Sequence, residues 1–577
     1  MYTQELSLFS ETQYSFESHS NTKFWNMMNL KSGEVNLLTN DSNVSELIWI
    51  SSDTVLYINS TNEDIPGGTE LWVSQISDFS NSQPPYRSPY PPYSETSDYD
   101  ISPDGEWVAF RSKAPELPKA NNTASYIYLV PHDGSQPPKA INGPDSPGAL
   151  EGVHGDSSSP SFSPDSKRVA YLQMRNIAYE SDRRILYIYE IGSKKAITAL
   201  ARDWDRSPES VKWTIDGKSL ILNAEDYART RLFILPIDAD DKFKPQNFTD
   251  TGSVNEWYNI PTGDVLVSGS AIWTSWTVYT ATPGKSINKV LFSANEVDPG
   301  LKGLGPADID EFYFRGNWTD IHSWMIYPPN FDRTKTYPLM FWVHGGPQGA
   351  WTDSWSTRWN YKTFVDQGYV MIAPNPTGST GFGANLTDMI QNNWGGYPYD
   401  DLVKCWEFVN ENFPFIDTGR GVAVGASYGG FMINWIQGSP LGRKFQALVT
   451  HDGNFIADIK IATDELWLPE HDFNGTFWAN RDAWRRWDPS APERIMQFET
   501  PHLVVHSSKD LRLPVAEGVG LFNVLQERGV PSRVLKQENS LVWHQQVLGW
   551  LNGYSGVEEE NPSVISLDDT VIPVVDY

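Results

Sequence analysis

The feature that most constrains the fold is a strand, a tight turn and a helix that follow one another over residues 422–436. Residues 422–424 are apolar and predict the end of a buried strand. The turn Gly425-Ala-Ser-Tyr-Gly429 has the pattern G-x-S-x-G, and an apolar helical segment follows it. Such a turn exposes a serine Oγ at a helix N-terminus, where N–H groups stabilise a developing oxyanion. We therefore predict a nucleophile elbow with Ser427 as the nucleophile; an ordinary Gly/Ser turn is the alternative.

The size and charge of the chain limit the class of protein. With 577 residues it is longer than a single hydrophobic core usually serves, so two or more domains are expected. Hydrophobic residues make up 39% and aromatic residues 13%, which is typical of an ordered globular protein. The formal net charge of −28 disfavours binding to nucleic-acid phosphates or anionic lipids. Since no apolar run is long enough to cross a bilayer, we expect neither a nucleic-acid nor a membrane partner.

The first half of the chain contains a repeated pattern. A Pro-Asp-Gly-type turn followed by an alternating apolar strand occurs at residues 101–110 and 162–171, and more loosely at 213–222. Weaker copies lie at residues 48–57 and 261–267. A period of about 50 residues with several short strands in each is typical of β-propeller blades. A β-sandwich with recurring turns is the alternative, because turn chemistry alone does not set topology.

The domain boundaries follow from two changes in pattern. Residues 83–93 are rich in proline and tyrosine, and proline lacks the N–H that a central strand requires, so we predict a loop or linker there. From about residue 320, strands alternate with helices, which predicts a mostly parallel sheet. We therefore predict an all-β propeller over residues 1–315, with part of a blade missing near the linker. An α/β-hydrolase domain is predicted over residues 316–560, with a tail over 561–577.

An α/β-hydrolase orders its triad as serine, acid and histidine along the chain. The acid should follow a strand beyond the nucleophile, and Asp510 follows the apolar run at 503–506. Its role would be to hold the histidine tautomer and to stabilise the imidazolium. Asp452, which follows the strand predicted at 447–450, is the rival candidate for the acid. The alternative interpretation of Asp510 is an ordinary solvated loop aspartate. We predict Asp510.

The predicted oxyanion hole combines two donors. One is the backbone N–H of Tyr428, and the other comes from the loop after the strand predicted at residues 339–343. That loop begins His344-Gly-Gly-Pro, and adjacent glycines let the backbone approach a substrate carbonyl closely. His344 itself is either a donor or a buried structural group, and the residues leave both open.

The sequence offers no clear candidate for the general base, the histidine of the triad. Beyond Asp510 the only histidine is His544. Apolar residues at helical spacing predict a closing helix over 540–554, with Asn539 as its cap, and another helix over 515–528. A triad histidine must reach both the acid and the serine, which favours a loop over a helix interior. We therefore interpret His544 as an ordinary helix histidine, with the role of base as the alternative.

The sequence gives conflicting indications of the compartment. A lack of disulfides suggests the cytosol, whereas glycosylation sequons suggest the secretory pathway. Cys405 is the single cysteine, and it lies in an amphipathic helical pattern over 401–409, so a packed thiol is predicted. Residues 1–10 have neither the basic nor the apolar region of a signal peptide. The density of N-x-S/T sequons nonetheless favours a secreted glycoprotein. The candidate glycosylation sites are Asn40, Asn43, Asn59, Asn121, Asn247, Asn317, Asn385 and Asn474.

From about Gln13 to the C-terminus, the chain resembles the prolyl oligopeptidase family of serine peptidases. The motifs that carry the resemblance are His344-Gly-Gly-Pro-Gln348, Trp394-Gly-Gly-Tyr-Pro398, Gly425-Ala-Ser-Tyr-Gly-Gly-Phe-Met-Ile-Asn-Trp435 and Trp487-Asp-Pro-Ser-Ala-Pro-Glu-Arg494. The resemblance implies a β-propeller that limits access to a hydrolase domain, with no cofactor or metal. It also implies release of dipeptides from the N-terminus of small peptides through a Ser-Asp-His acyl-enzyme mechanism. Ser427 matches the family's nucleophile, Asp510 its acid and Tyr428 its oxyanion donor.

The chain departs from this family in three places. The first segment is absent, and the stretch around 83–93 is short by most of a blade or more. The family also has a Pro-Asp-x-x-His loop that carries the base, whereas here Val530-Pro-Ser-Arg533 runs almost directly into Glu538 and His544. We therefore expect a serine peptidase whose activity is impaired. An esterase on the same fold and an inactive binding protein are the alternatives, and no oligomeric state is predicted.

Overall fold

The structure is a computed structural model that describes residues 6–15, 20–29, 35–39, 44–49, 54–59, 70–75, 98–117, 121–146, 155–192, 198–285, 287–301, 304–536 and 540–557. The chain divides into two compact units. The first comprises residues 1–204, 208–223 and 233–246, and the second comprises 205–207, 224–232 and 247–577. The division predicted at residue 315 stays a prediction.

The N-terminal part is a succession of small antiparallel sheets. Their strand orders are β1-β2-β3, β4-β5-β6, β10-β9-β8-β7, β11 to β14, β15 to β18 and β19 to β22. The strands are β1 (Leu6–Ser15), β2 (Ser20–Asn29), β3 (Val35–Thr39), β4 (Val44–Trp49), β5 (Thr54–Asn59), β6 (Glu70–Gln75), β7 (Tyr99–Ile101), β8 (Trp107–Lys113), β9 (Ser125–Pro131), β10 (Lys139–Ala140), β11 (Ser157–Phe162), β12 (Arg168–Gln173), β13 (Ile185–Glu190), β14 (Thr198–Leu200), β15 (Pro208–Trp213), β16 (Ser219–Glu225), β17 (Thr230–Pro236), β18 (Gln246–Asn247), β19 (Ser253–Asn259), β20 (Val265–Ala271), β21 (Thr274–Ala281) and β22 (Ile287–Ser293).

The three clearest sequence repeats each form the turn between the first two strands of a sheet. In the first copy, the Asp104 carboxylate accepts hydrogen bonds from Ser102 Oγ at 2.6 Å and from the Glu106 N–H at 3.1 Å. Asp165 and Asp216 make the same pair of contacts in the next two copies. The aspartate satisfies backbone and hydroxyl donors that the turn leaves without partners, which is why the motif recurs at each hairpin.

The C-terminal part contains an eight-stranded sheet in the order β23-β24-β26-β25-β27-β28-β29-β30. The pairs β23–β24 and β24–β26 are antiparallel, and all further pairs from β26 to β30 are parallel. The carboxyl ends of these parallel strands meet at one edge, which is where ligand sites form in α/β sheets. The strands are β23 (Ile309–Arg315), β24 (Asp320–Ile326), β25 (Tyr337–Val343), β26 (Val370–Pro374), β27 (Ile416–Ala426), β28 (Ala447–His451), β29 (His502–His506) and β30 (Ser532–Lys536).

Helices cover both faces of this sheet. Along β25, Phe341 and Val343 pack into the cluster that contains α5, whereas Met340 and Trp342 pack into the cluster that contains α10. This alternation with both faces buried is typical of a parallel strand. The helices are α1 (Ala294–Val297), α2 (Tyr361–Val365), α3 (Ala384–Asp388), α4 (Tyr397–Asn412), α5 (Tyr428–Gln437), α6 (Trp467–Asp472), α7 (Arg481–Arg486), α8 (Pro492–Ile495), α9 (Ala516–Glu527) and α10 (Ser540–Ser555).

Several sequence predictions are confirmed by these elements. The strands predicted after residue 338 and the helices predicted at 515–528 and 540–554 are present, and Cys405 is buried in α4. Burial also raises the pKa of the Cys405 thiol, consistent with a packed group. In the part of the chain that the structure describes, no helix is both long and apolar enough to cross a bilayer. The linker at 83–93, Asn539 and the tail at 561–577 lie outside the described residues.

Candidate active site

Ser427 lies at the junction of β27 and α5, as predicted. Its backbone is in a rarely populated conformation with φ 56° and ψ −122°. Its N–H donates to the His451 carbonyl at 2.9 Å, which ties the turn to the end of β28. A Cβ at Gly425 would lie 2.3 Å from the Gly429 oxygen, and a Cβ at Gly429 would lie 2.3 Å from the Val343 oxygen. Both glycines are therefore required by close backbone approach, and the tight turn holds the serine in a strained, defined position.

Tyr428 is the first residue of α5, a position whose N–H has no partner within the helix. Its side chain is buried, and its hydroxyl donates to the Trp394 carbonyl at 2.7 Å. Gly345 lies directly against the serine, since a Cβ there would be 3.3 Å from Ser427 Cβ. The predicted loop is therefore next to Ser427, and its role as an oxyanion donor stays a prediction.

The His344 side chain is a buried group with both ring nitrogens engaged. Its Nδ1 donates to the Gly345 carbonyl at 2.6 Å, and its Nε2 lies 2.9 Å from Ser379 Oγ. Burial lowers the pKa of this imidazole to about 4. These contacts favour the structural interpretation of the side chain, so a donor from this loop would be a backbone N–H.

A cavity of about 250 Å³ brings two of the predicted residues together. Ser427 and the predicted acid Asp510 both line it, and so does the rival Asp452. His451, which no sequence motif marks, lines it too. His451 has no local motif to mark it, because only the alignment of β28 beside β27 brings it next to the serine.

The two aspartates are held differently. Asp510 Oδ1 accepts the N–H groups of Arg512 and Leu513 at 2.9 and 2.8 Å. Asp452 accepts the Ser507 N–H at 2.6 Å and lies 3.0 Å from His451 Nε2. Burial by itself would raise the pKa of Asp452, but His451 and the Ser507 N–H hold it below its ordinary value. The loop bonds orient Asp510, whereas Asp452 is already engaged by a neighbouring imidazole.

His544 lies within α10, as predicted, and is not among the residues that line either cavity at Ser427. Its Nδ1 donates to the Ser540 carbonyl at 2.8 Å, a contact within the same helix. Its ring packs against Trp543, with a centroid distance of 4.7 Å. The structure therefore does not bring His544 together with Ser427 and Asp510.

A second, smaller cavity also reaches Ser427 and Tyr428. Among the residues lining it is Lys460, a buried lysine that the sequence analysis did not single out. Across the described ranges, no cluster of three or more His, Cys, Asp or Glu side chains is placed to hold a metal ion. Acyl-transfer chemistry needs a nucleophile, oxyanion donors and an acid–base pair, and the roles predicted for Ser427, Tyr428 and Asp510 stay predictions.

Relatives of known name match almost the whole chain. Dipeptidyl-peptidase 5 from Aspergillus fumigatus is 56% identical over 99% of this chain and 94% of that protein. Dipeptidyl-peptidase 5 from Aspergillus oryzae is 54% identical with the same coverage. The first of these alignments spans 681 positions, whereas this chain has 577 residues, so roughly 100 aligned positions have no counterpart here.

Solved structures support the fold. The acylaminoacyl peptidase of Pyrococcus horikoshii matches with a TM-score of 0.75 at 16% identity, covering 97% of each chain. A puromycin-hydrolyzing peptidase from Mycobacterium tuberculosis matches with a TM-score of 0.63 at 14% identity, covering 95% of this chain and 86% of that one. The sequence profile described as the prolyl oligopeptidase family matches residues 355–553, which include Ser427 and Asp510. Together with the relatives that are more than half identical over their length, this match shows that the chain belongs to the prolyl oligopeptidase family of serine peptidases.

Proposed function

We propose that this chain is a peptidase of the dipeptidyl-peptidase type, which releases dipeptides from the N-terminus of small peptides. The observation that carries the proposal is Ser427, held at a strand–helix turn, with Gly345 and Asp510 lining one cavity beside it and Tyr428 lining the other. The names of the relatives support the dipeptide-releasing activity.

In the proposed reaction, Ser427 Oγ attacks the carbonyl carbon of the second peptide bond from the substrate N-terminus. The Tyr428 N–H and a backbone N–H of the loop after β25 stabilise the oxyanion. Collapse of the intermediate expels the amine of the remaining peptide and leaves a dipeptidyl ester on the serine. Water then hydrolyses this ester and regenerates the hydroxyl. Each half-reaction needs a base to take a proton and an acid to return it, which is the work of a histidine oriented by Asp510.

We further propose that this step is impaired here because the histidine loop is deleted. The chain contains no histidine between Asp510 and His544, and His544 does not line the cavity. The oxyanion donors and substrate binding alone still accelerate hydrolysis by about 10³- to 10⁴-fold over water in a serine protease. The transcript across codons 530–545 offers a direct check, because a longer message that encodes Pro-Asp-x-x-His would show the deletion to be absent from the natural protein.

Two substrates tested side by side distinguish a peptidase from an esterase. We expect slow release of nitroaniline from a dipeptidyl nitroanilide, and loss of that release in Ser427→Ala. A short-chain nitrophenyl ester is the parallel substrate. Ester turnover with no detectable anilide turnover, even at high enzyme concentration, would contradict the peptidase proposal and favour the esterase. Loss of neither activity in Ser427→Ala would contradict the site itself.

The role of each histidine is tested with a fluorophosphonate probe. We expect weak labelling of the purified chain that disappears in Ser427→Ala and changes less than about twofold in His544→Gln, since His544 bonds within its own helix. His451→Gln is the matched comparison, because His451 does line the cavity. If His544→Gln removed labelling as completely as Ser427→Ala, His544 would be the base, and the proposal that the chain lacks its catalytic histidine would be wrong.

We also propose that the small N-terminal sheets are propeller blades and that the protein is a secreted glycoprotein. The repeated turns support the blades, and the density of N-x-S/T sequons supports secretion. Among the sequons, Asn40 and Asn43 lie outside the described residues. Among the sequons whose side chains the structure describes, Asn121, Asn247, Asn385 and Asn474 are exposed.

Asn317 is a sequon that we expect to stay unmodified. Its Nδ2 donates to the Tyr397 carbonyl at 3.2 Å, and its Oδ1 accepts from Lys404 Nζ at 2.7 Å. Glycan attachment would replace these contacts with a bulky group in a half-buried site. Mass spectrometry of glycopeptides from the secreted chain should find occupancy at exposed sites such as Asn385 and none at Asn317. Occupied Asn317 would contradict the packing of this loop.

A further inference from the structure

Lys460 is a buried cation beside the nucleophile. It lies in a 3-10 helix, Ala457–Ala462, and its side chain is 5% exposed. It lines the smaller cavity together with Ser427 and Tyr428. A lysine is seldom buried without a partner, because removal of the ammonium from water carries a large free-energy cost.

Three aromatic rings surround the ammonium. Lys460 Nζ lies 5.2 Å from the centroid of Trp394, 5.3 Å from that of Phe431 and 5.0 Å from that of Phe473. Cation–π attraction of this kind replaces part of the lost hydration. Rings offer no hydrogen-bond acceptor of ordinary strength, however, so they leave the three ammonium protons without acceptors.

The carboxylates that act on Lys460 already have their own donors, and Glu465, which lines the same cavity, pairs with Arg512. Burial lowers the pKa of Lys460, and Glu517 and Asp488 oppose this shift electrostatically. Glu517 accepts the N–H groups of Phe455 and Ile456 at 2.8 and 2.6 Å, and Asp488 accepts the Ala457 N–H at 3.2 Å. Within the described part of the chain, Lys460 Nζ has no hydrogen-bond partner. A desolvated ammonium that lines a cavity is a strong site for an anionic group, because both the charge and the donors are available to it.

The geometry points to Lys460 as a specificity residue that selects an acidic side chain on the substrate residue next to the scissile bond. This inference rests on the proposed function, since it assigns the cavity beside Ser427 to that side chain. The cavity has a volume of about 40 Å³. It has room for roughly three waters at the 10–15 Å³ that each requires. A short carboxylate-bearing side chain suits that space, and its oxygens would accept from Lys460 Nζ in place of water.

Product dipeptides test this without any need for catalysis. Binding of Ala-Glu, Ala-Gln and Ala-Leu is measured by isothermal titration calorimetry on the full chain at one pH. We expect Ala-Glu to bind at least about tenfold more tightly than Ala-Gln, the scale of one hydrogen bond between charged groups. In Lys460→Met, which keeps the length of the side chain, the ratio should fall to about one. Lys444→Met is the matched control, because Lys444 also lies over a ring, that of Trp406, but does not line the cavity.

The outcomes separate the two proposals. Binding of all three dipeptides to the wild-type chain with equal affinity would overturn the role of Lys460 and leave the peptidase proposal standing. Binding of none would overturn both. The wild-type comparison needs no variant, so the test holds even if Lys460→Met folds poorly. A ratio that fell equally in Lys444→Met would show a general charge effect and would also overturn the assignment.

Discussion

A chain that carries a Pro-Asp-x-x-His segment between Lys536 and Ser540 is expected to hydrolyse a dipeptidyl nitroanilide about 10⁴- to 10⁶-fold faster in kcat/KM than the chain as it stands. Loss of a triad histidine costs about 10⁶-fold in kcat in a well-studied serine protease, about 8 kcal/mol of transition-state stabilisation. An inserted loop that misplaces the histidine restores less of this activity, because nucleophile, base and acid act as a unit.

The topology places the inserted segment at the same edge of the sheet as Ser427 and Asp510. β30 runs parallel to β29, and β29 is linked through β28 to β27 by parallel pairing. Ser427 follows β27 and Asp510 follows β29, so a loop after Lys536 leaves the sheet at the same edge. Asp510 is already oriented by the Arg512 and Leu513 N–H groups. The imidazole is therefore the single member of the triad that the insertion has to supply.

The measurement compares four proteins with one nitroanilide. The chain with the inserted segment should be fast, and the same insertion with alanine in place of its histidine should match the unmodified chain. Ser427→Ala in the active insertion variant should return the rate to background. Equal rates for the histidine and alanine insertions would contradict the proposal that a missing base limits activity, and a fast unmodified chain would show that another residue already serves as the base.

Acidification from pH 7 to pH 5 is expected to reduce the free energy of unfolding by about 4 kcal/mol through two buried histidines, or about 2 kcal/mol for each. Burial lowers the pKa of His344 to about 4 and that of His502 to about 3. Both are fully enclosed in the fold. In the unfolded chain an imidazole has a pKa near 6.5, so below that pH the unfolded state binds more protons and stability falls as pH falls. The loss ends near pH 4 for His344 and near pH 3 for His502.

The hydrogen bonds of His502 explain why it stays neutral. Its Nε2 donates to Thr450 Oγ1 at 2.9 Å, and Thr450 Oγ1 in turn donates to Asn434 Oδ1 at 2.7 Å. Its Nδ1 accepts a weak bond from Gln437 Nε2 at 3.4 Å. One ring nitrogen is thus a donor and the other an acceptor, which is the pattern of neutral imidazole. A second ring proton would face a donor.

Urea unfolding at pH 7 and pH 5 measures the effect, with His344→Gln and His502→Gln as the variants. Each variant removes one titrating group, so each should lose about half of the pH dependence even if it is less stable at pH 7. The double variant should lose most of it. Single variants that keep the full pH dependence would show that other groups, most of them carboxylates, govern acid stability.

The sequence predicts the parts of the site that depend on local chemistry. The glycines around Ser427, the strand before it and the helix after it are neighbours in the chain, and the structure has each of them where the pattern indicates. The closing helix and the position of His544 within it also follow from apolar spacing alone. The order of motifs places Asp510 after a later strand, and parallel strands then bring it to the same edge as the serine.

Other features of the site depend on contacts between distant segments. Asp452 and His451 reach the cavity because β28 lies beside β27, and the hydrogen bonds of the His344 ring depend on Ser379 from the next loop. Lys460 is surrounded by rings from three separate stretches of the chain. No local pattern marks these residues, since whether an ionisable group is buried is a property of its neighbours in space.

By itself the sequence determined the family, the strand–turn–helix around Ser427 and the lack of a histidine between Asp510 and His544, because these follow from motifs and from their order along the chain. Only the tertiary structure decided which groups share a cavity with Ser427 and which of them are desolvated. The physical reason is that covalent order sets which side chains exist, whereas packing sets the distances and the dielectric environment in which they act.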